Sequence, residues 1–210
     1  LYKKAWNNFF KTYSEYKIIH GHVRSTASIY LSIAKKYNLI TIAHSHNTSS
    51  GTGFQAIVKN ILQYPIRNIA DYLFACSMSA GEWLFGKKAC QKDNFYVLKN
   101  AIETEKFIFN KDIRDKKRKE LNLEDLFVIG HVGRFHPQKN HETLIEIFKQ
   151  VYEMNRNSVL LLVGDGELRL HIQKKVKDLG LESNVIFTGI RSDIPELLQA
   201  MDVFVFPSLY

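Results

Sequence analysis

One short segment of the sequence combines two cationic side chains with a turn and a predicted helix start. Residues 133–140 read Gly-Arg-Phe-His-Pro-Gln-Lys-Asn and follow an apolar run that is typical of a buried strand. Gly133 lets the chain turn without a Cβ atom, and a helix is predicted from about His141. Arg134 and Lys139 are therefore expected at a strand end, beside the N–H groups of a helix N-terminus. This combination suits a diphosphate, and the alternative is a pair of solvated loop cations.

A second predicted loop, residues 163–167, reads Val-Gly-Asp-Gly-Glu, and its two glycines are expected to let backbone approach a ligand closely. It does not match the dinucleotide fingerprint, because Arg169 stands where the third Gly or Ala is required. Residues 51–56 match that fingerprint better, but the preceding strand is predicted to end near His44, too far back for the tight turn. We therefore reject an oxidoreductase function.

Four histidines lie at two predicted strand ends: His20, His22, His44 and His46. Imidazole is a common ligand for transition metals, but no Asp, Glu or Cys accompanies these residues at ligand spacing. We therefore disfavour a zinc site and expect one or two of the histidines in an active-site cleft, with the others hydrogen-bonded structurally. The chain also has no Asp-x-Asp sequence, the usual short carboxylate pair for a metal-held nucleotide. We expect phosphate binding without metal and no cofactor.

Short apolar runs alternate with stretches of helical period along the chain. Strands that are apolar on both faces and separated by helices are typical of parallel sheets covered by helices, so the fold class is α/β. Strands are predicted at 16–20, 39–44, 72–77, 95–98, 126–132, 159–163, 185–188 and 202–206. Helices are predicted near 26–37, 54–68, 79–87, 114–121, 140–154, 167–179 and 192–200.

The composition is that of an ordinary globular protein, with 45% apolar and 24% charged residues, which excludes disorder, collagen-like repeats and coiled coil. Two cysteines do not form a disulfide scaffold, and a reducing, intracellular setting is expected. No apolar run approaches the roughly 20 residues that span a bilayer.

Charge is distributed unevenly along the chain. Residues 1–118 hold 19 basic and 8 acidic side chains, whereas residues 119–210 hold 10 and 13. We place a domain boundary near residue 105, which predicts one domain over 1–105 and another over 106–210. The charge-rich run at 111–119 is interpreted as a solvated helix face in preference to a binding element.

Taken together, these motifs resemble the retaining glycosyltransferases of family 4, in which two facing Rossmann-like domains form the GT-B architecture. Residues 133–140 are similar to the family's Gly-Arg-x-x-x-x-Lys-Asn/Gly donor-diphosphate loop. The resemblance covers residues 18–210. It continues at residues 164–166, 185–189 and 200–208, and residues 43–48, 75–77 and 98–101 are similar to exopolysaccharide- and capsule-type members.

The resemblance implies roles for individual residues. Arg134 and Lys139 would hold the nucleotide diphosphate and stabilise charge on the leaving phosphate. A histidine after the strand at 39–43 would lie beside the reacting sugar, and between His44 and His46 we favour His46. The other donor-binding residues that the resemblance implies are Gly133, Asn140, Gly164, Gly166, Glu167, Gly189 and Arg191.

The implied activity is transfer of a hexose or N-acetylhexosamine, with retention, from a nucleotide sugar, expected to be a UDP-sugar, to a growing lipid-linked oligosaccharide. We expect a cytoplasmic protein, peripheral on the inner face of the membrane, whose basic half meets anionic lipid. A merely solubilising basic surface is the alternative. A GT-B-type nucleotide-sugar epimerase and a basic nucleic-acid-binding module are the competing functions. Nucleic acid is disfavoured as a partner because the aromatic residues at 6–16 fit a helix packing stripe.

By the same resemblance, the chain lacks two parts of a complete transferase. It stops before the family's Glu-x7-Glu loop, which contacts the donor sugar and ribose, and it lacks the opening strand and Gly-Gly loop of the acceptor domain. We expect the isolated fragment to be weakly active or inactive and the parent polypeptide to be active.

Overall fold

The computed structural model describes residues 1–23, 25–51 and 53–209. The chain divides into two compact units, Leu1–Ile102 and Glu103–Tyr210, which we call unit 1 and unit 2. Position 52 of the fingerprint-like segment and position 210, where the family resemblance ends, lie outside the described residues. Among the described residues, no helix has both the length and the apolar character that crossing a bilayer requires.

Unit 1 contains a four-stranded parallel sheet in the order β1-β2-β3-β4. The elements are α1 (Tyr2–Thr12), β1 (Ile18–Gly21), α2 (Ala27–Lys36), β2 (Ile40–Ser45), α3 (Phe54–Gln63), α4 (Ile66–Ile69), β3 (Tyr72–Ala75), α5 (Met78–Phe85) and β4 (Phe95–Val97). The core packs apolar residues of α2, β3 and α5, including Leu31, Leu73 and Phe85, against each other. Burying these side chains supplies the main driving force for folding of the unit.

Unit 2 contains a second parallel sheet, in the order β7-β6-β5-β8. The elements are α6 (Lys111–Glu120), β5 (Phe127–Val132), α7 (His141–Met154), β6 (Ser158–Val163), α8 (Arg169–Asp178), β7 (Val185–Gly189), α9 (Ile194–Ala200) and β8 (Val203–Phe204). Successive side chains of β6 enter different cores: Leu160 and Leu162 pack with Phe148, whereas Leu161 and Val163 pack with Leu197. Both faces of this strand are therefore buried, as its uninterrupted apolar sequence requires.

The α/β fold with parallel sheets is confirmed. Each predicted strand is present with small shifts at its ends, but the helix predicted at 54–68 is divided into α3 and α4. Pro65 stands at the division, where its lack of an N–H group interrupts the helical hydrogen bonds. Helix α1 was not predicted as an element, although its aromatic spacing was interpreted as a packing stripe; Phe10 is buried and Trp6 stacks on Tyr30.

The interpretation of residues 111–119 as a solvated helix face is wrong for three basic residues. Lys117 and Arg118 are more than nine-tenths buried, and Arg114 and Arg118 both pair with Asp202, at 2.5 and 3.2 Å. Lys117 pairs with Asp193 at 2.8 Å. The hydrocarbon stems of these Lys and Arg side chains cover apolar surface, and their charged ends bond to carboxylates and backbone carbonyl groups. One face of the helix is therefore buried although it carries cations.

Candidate functional site

The 133–140 loop connects the carboxyl end of β5 to the first residue of α7, His141, where the helix was predicted to begin. A short 3₁₀ turn, Pro137–Lys139, precedes Asn140, which adopts a left-handed conformation at φ 53° and ψ 48°. Arg134 and Lys139 are therefore both carried by the loop that enters the N-terminus of a 14-residue helix. The first N–H groups of such a helix favour an anion.

The 133–140 loop packs directly on the loop that follows β6. The Phe135 N–H donates to Asp165 O at 3.0 Å, and the Leu168 N–H donates to Phe135 O at 3.1 Å. A Cβ atom built on Gly164 would lie 2.1 Å from Gly133 O, and one on Gly166 would lie 2.5 Å from Phe135 O. The two glycines thus permit the loops to touch, a structural role that sequence reasoning missed; their lining of a nucleotide pocket stays a prediction.

The two cations of the loop have different surroundings. The Arg134 side chain is 68% exposed and donates to Glu167 at 3.3 Å, and His136 lies 3.8 Å from the same carboxylate. Lys139 places its ammonium 4.4 Å from the centre of the Phe206 ring, in a cation–π contact. An anion bound at Arg134 would compete with the Glu167 carboxylate for the guanidinium. Lys139 is held by the uncharged Phe206 ring, so an anion bound there meets no such competitor.

The chain after β8 closes one side of the loop. Asn140 donates from Nδ2 to Pro207 O at 3.3 Å, and the Leu209 N–H donates to Gln138 O at 3.0 Å. Asn140 therefore holds two segments together, and its contact with a donor stays a prediction. Phe206 belongs to this surface and was not among the predicted site residues. Its only signal in the sequence was its place in the family-like segment 200–208.

Two buried histidines beneath the loop were also missed. His131 on β5 donates from Nδ1 to Val205 O at 2.8 Å, and its ring lies 4.9 Å from that of His141, which stacks on Phe135. Neither His131 Nε2 nor either ring nitrogen of His141 has a hydrogen-bond partner within the described part of the chain. Burial, with smaller contributions from His131 and Lys139, lowers the pKa of His141 to about 4, so this ring is neutral at pH 7.

Gly189 and Arg191 follow β7. Gly189 adopts φ 73°, and its carbonyl accepts the Gly164 N–H at 2.8 Å, so it lies beside the glycine loop. The Arg191 guanidinium pairs with Asp193 at 2.6 Å and with Glu120 at 3.5 Å. Arg191 and Lys117 hold the pKa of Asp193 well below its usual range. The Arg191 side chain is thus engaged with α6 and α9, and its predicted role near the base stays a prediction.

Unit 1 brings the four predicted histidines together at the ends of β1 and β2. His20 Nε2 lies 3.1 Å from His44 Nδ1, and His22 Nδ1 lies 2.7 Å from His46 Nε2. The strands are adjacent and parallel, and residues two apart share a face, which explains why the two His-x-His pairs meet. Burial and the neighbouring imidazoles lower the pKa of His44 to about 4.

A polar cavity of about 300 Å³ lies beside these histidines in unit 1. Its lining includes His22, Asn47 and Lys59, whose donors and acceptors suit a hydroxyl-rich ligand. His22 in turn lies beside the rings of both candidate catalytic histidines, His44 and His46.

Residues 112–210 match the family described as glycosyl transferases group 1. Over 97% of the chain and 54% of the relative, the sequence is 33% identical to a putative glycosyltransferase, EpsF, of Bacillus subtilis. It is 30% identical to the UDP-Gal:alpha-D-GlcNAc-diphosphoundecaprenol alpha-1,3-galactosyltransferase of Escherichia coli, over 93% of the chain and 53% of that relative. The chain thus spans about half the length of these curated relatives.

Among solved structures, the Anabaena protein Alr3699/HepE in complex with UDP and glucose has a similar fold, with a TM-score of 0.78. The match covers 97% of this chain and 56% of that one at 22% identity, so it bears on the fold alone. The sequence of the 133–140 loop, the parallel sheets and the named relatives all indicate the same family. The chain belongs to the glycosyl transferases group 1 family, whose members share the GT-B fold.

Proposed function

We propose that this protein is a retaining glycosyltransferase that moves a sugar from a UDP-sugar to a lipid-linked oligosaccharide in polysaccharide biosynthesis. The observation that carries the proposal is the 133–140 loop, which presents Arg134 and Lys139 at the N-terminus of α7. The E. coli relative is named for a UDP-galactose donor and a diphosphoundecaprenol acceptor. Its name supports this choice of donor and acceptor class.

In this proposal, unit 2 binds the donor. Arg134 and Lys139 bind the diphosphate, and positive charge at that point stabilises the negative charge that grows on the leaving phosphate. Gly164, Gly166, Glu167, Gly189 and Arg191 lie on the neighbouring loops, where they would surround the nucleotide. Because the loop supplies two cations and helix N–H groups, we propose that the donor binds without a metal ion.

Unit 1 supplies the candidate catalytic histidines. His46 and His44 each have a hydrogen-bonded imidazole neighbour, which orients the ring. We propose His46 as the residue closest to the reaction, because it is exposed whereas His44 is 5% exposed. The protein would work at the inner face of the cell membrane, where lipid-linked acceptors lie.

Isothermal titration of the 210-residue chain with UDP, UDP-glucose, UDP-galactose and GDP tests donor binding. The expected result is heat on addition of uridine nucleotides that is unchanged by EDTA and weaker or absent with GDP. Cytidine monophosphate, which lacks the second phosphate, is the control. Equal affinity for all these nucleotides, or an absolute need for a divalent cation, would contradict the proposed donor site.

A further inference from the structure

Three imidazoles at the ends of β1 and β2 lie close enough to bind one ion. One ring nitrogen of His20, one of His22 and one of His44 all lie within 4.8 Å of one another. His20 Nε2 and His44 Nδ1 are 3.1 Å apart. Two imidazole nitrogens on a tetrahedral zinc ion, at bond lengths of 2.0–2.1 Å, are separated by about 3.3 Å. The spacing already present in unit 1 is therefore close to that of a ligand pair.

The three rings are held in place by their neighbours. The Phe74 ring contacts both His20 and His44 edge-on, and its centre lies 5.6 Å from that of His20 and 5.9 Å from that of His44. His46 holds the ring of His22 through the 2.7 Å hydrogen bond. A hydrogen-bond partner such as His46 fixes the ring orientation of a metal-binding histidine and raises affinity.

His44 is the most buried of the three histidines. The residue is 95% buried, and its Nε2 atom has no hydrogen-bond partner among residues 1–23, 25–51 and 53–209. A buried nitrogen without a partner costs free energy, and such atoms in native proteins call for an explanation. An ion bound by His44 Nε2 would give this atom a partner and leave the contact of Nδ1 with His20 intact, whereas an ion bound by Nδ1 would replace that contact.

The chemistry of the ligands selects the class of ion. Neutral imidazoles suit Zn²⁺, Co²⁺ and Ni²⁺, whereas Mg²⁺ and Ca²⁺ prefer oxygen ligands. The sequence argument against zinc relied on the absence of nearby carboxylates and cysteines. Three histidines and a water molecule complete a four-coordinate site without them, so the absence of carboxylates and cysteines does not by itself exclude a site of three converging histidines.

We propose that His20, His22 and His44 form a binding site for a divalent transition-metal ion of the zinc type. The fourth position would be taken by water from the cavity of about 300 Å³ that His22 lines. His46 acts as the hydrogen-bond partner of His22. The site lies in unit 1, and donor binding is assigned to unit 2, so titrations with metal and with UDP report on the two proposals separately.

The experiment uses the tag-free 210-residue chain after removal of metal by chelation. Titration with Co²⁺, followed by its visible absorption, and equilibrium dialysis with Zn²⁺ are expected to give one ion per chain, with Mg²⁺ not competing. His20→Gln and His22→Gln are each expected to weaken binding about tenfold or more. His171→Gln, which removes an exposed histidine of unit 2, is the matched control and should leave binding unchanged.

Two further measurements keep the result decisive. Trp6 and Trp83, the two tryptophans of the sequence, lie in unit 1, so their fluorescence shows whether each variant is folded. Ring ¹⁵N NMR of the unaltered chain needs no variant, and Zn²⁺ should shift the signals of His20, His22 and His44. Ring signals that do not respond to Zn²⁺, or binding that the His20 and His22 substitutions leave intact, would overturn the proposal.

Discussion

At the scale of single residues, the clearest division is between the two cations of the 133–140 loop. Arg134 lies in solvent and is paired with Glu167, whereas Lys139 lies over Phe206. An exposed ion pair contributes little to stability, so Arg134 is available for function at small cost to the fold. Lys139 is pre-positioned by an aromatic ring, which reduces the entropy lost when it binds an anion.

Replacing Arg134 or Lys139 by alanine is expected to weaken UDP binding. Each variant loses a charge-assisted hydrogen bond to phosphate, which corresponds to about 2 kcal/mol or roughly a thirtyfold rise in Kd. Calorimetric titration measures the change. Arg156→Ala, which removes a cation beyond the far end of α7, is the matched control and should leave Kd unaltered. Wild-type affinity in both loop variants would show that the phosphate binds elsewhere.

His141→Phe should stabilise unit 2, and more so in acid. The folded pKa of about 4 lies below the ordinary 6.5, so the unfolded chain binds more protons between these values and stability falls as pH drops through this range. The substitution abolishes this pH-dependent loss in the free energy of unfolding, which is at most about 3 kcal/mol. Phenylalanine retains the stacking on Phe135 and leaves no buried nitrogen without a partner.

Amide hydrogen exchange of unit 2 at pH 5 and pH 8, corrected for intrinsic rates, measures this effect. Tryptophan fluorescence is unsuitable, because both tryptophans lie in unit 1. The gain in protection should be larger at pH 5. A gain of equal size at both pH values would mean that His141 does not titrate in this range.

At the scale of elements, α6 is attached to the sheet of unit 2 by charge. Arg118 donates to Ala200 O at 2.9 Å, to Leu126 O and to Asp202 at 3.2 Å, and it thereby links the helix to the ends of β5 and α9. Burial raises the pKa of Asp202, but bonds from the Val128 N–H, Arg114 and Arg118 outweigh it and hold the pKa below its usual value. Asp202 thus stays ionised and keeps its partners.

Arg118→Ala is expected to destabilise unit 2 by about 3 kcal/mol, because two backbone carbonyls lose their Arg118 donor and the partly buried Asp202 carboxylate loses one of its two arginine partners. Lys119→Ala removes the same charge from an exposed position of the same helix and should change stability by less than about 0.5 kcal/mol. Hydrogen exchange of β5 amides compares the two variants. Similar effects of the two substitutions would mean that net charge, and not the Arg118 contacts, stabilises the helix.

At the scale of the whole molecule, net positive charge is concentrated in unit 1, which also exposes an apolar helix face. Residues 1–102 hold 13 basic and 4 acidic side chains, whereas residues 103–210 hold 16 and 17. Helix α3 exposes Phe54, Ile57 and Ile61, which are 79, 57 and 68% exposed and follow a helical spacing. Basic surface with an exposed apolar helix face is typical of binding to an anionic bilayer.

Flotation with vesicles tests this membrane prediction. We expect the chain to bind vesicles that contain anionic lipid, to bind neutral vesicles more weakly, and to be released in part by salt, which screens the charge. Ile61→Ser should reduce binding several-fold, whereas Ile190→Ser, at a still more exposed position of unit 2, should not. If vesicle binding depends neither on lipid charge nor on the α3 substitution, the membrane prediction is wrong and the basic residues only make the surface soluble.

The sequence by itself determined the strands, most of the helices and the 133–140 loop. Hydrophobic period, glycines and prolines are local signals, so the alternation of strands and helices and the start of α7 at His141 could be predicted from neighbouring residues. They also located Arg134 and Lys139 at a strand exit, because a strand followed at once by a helix leaves the loop at the sheet edge.

Only the tertiary structure decided which distant residues touch. The pairing of His20 with His44, the contact of Gly164 with Gly133 and the burial of Arg118 all join residues that are far apart in sequence. Strand register and loop packing depend on how whole elements bury their apolar faces, and no local pattern encodes that outcome. For this reason the sequence could place the four histidines at two strand ends, but only the fold showed which of their ring nitrogens lie together.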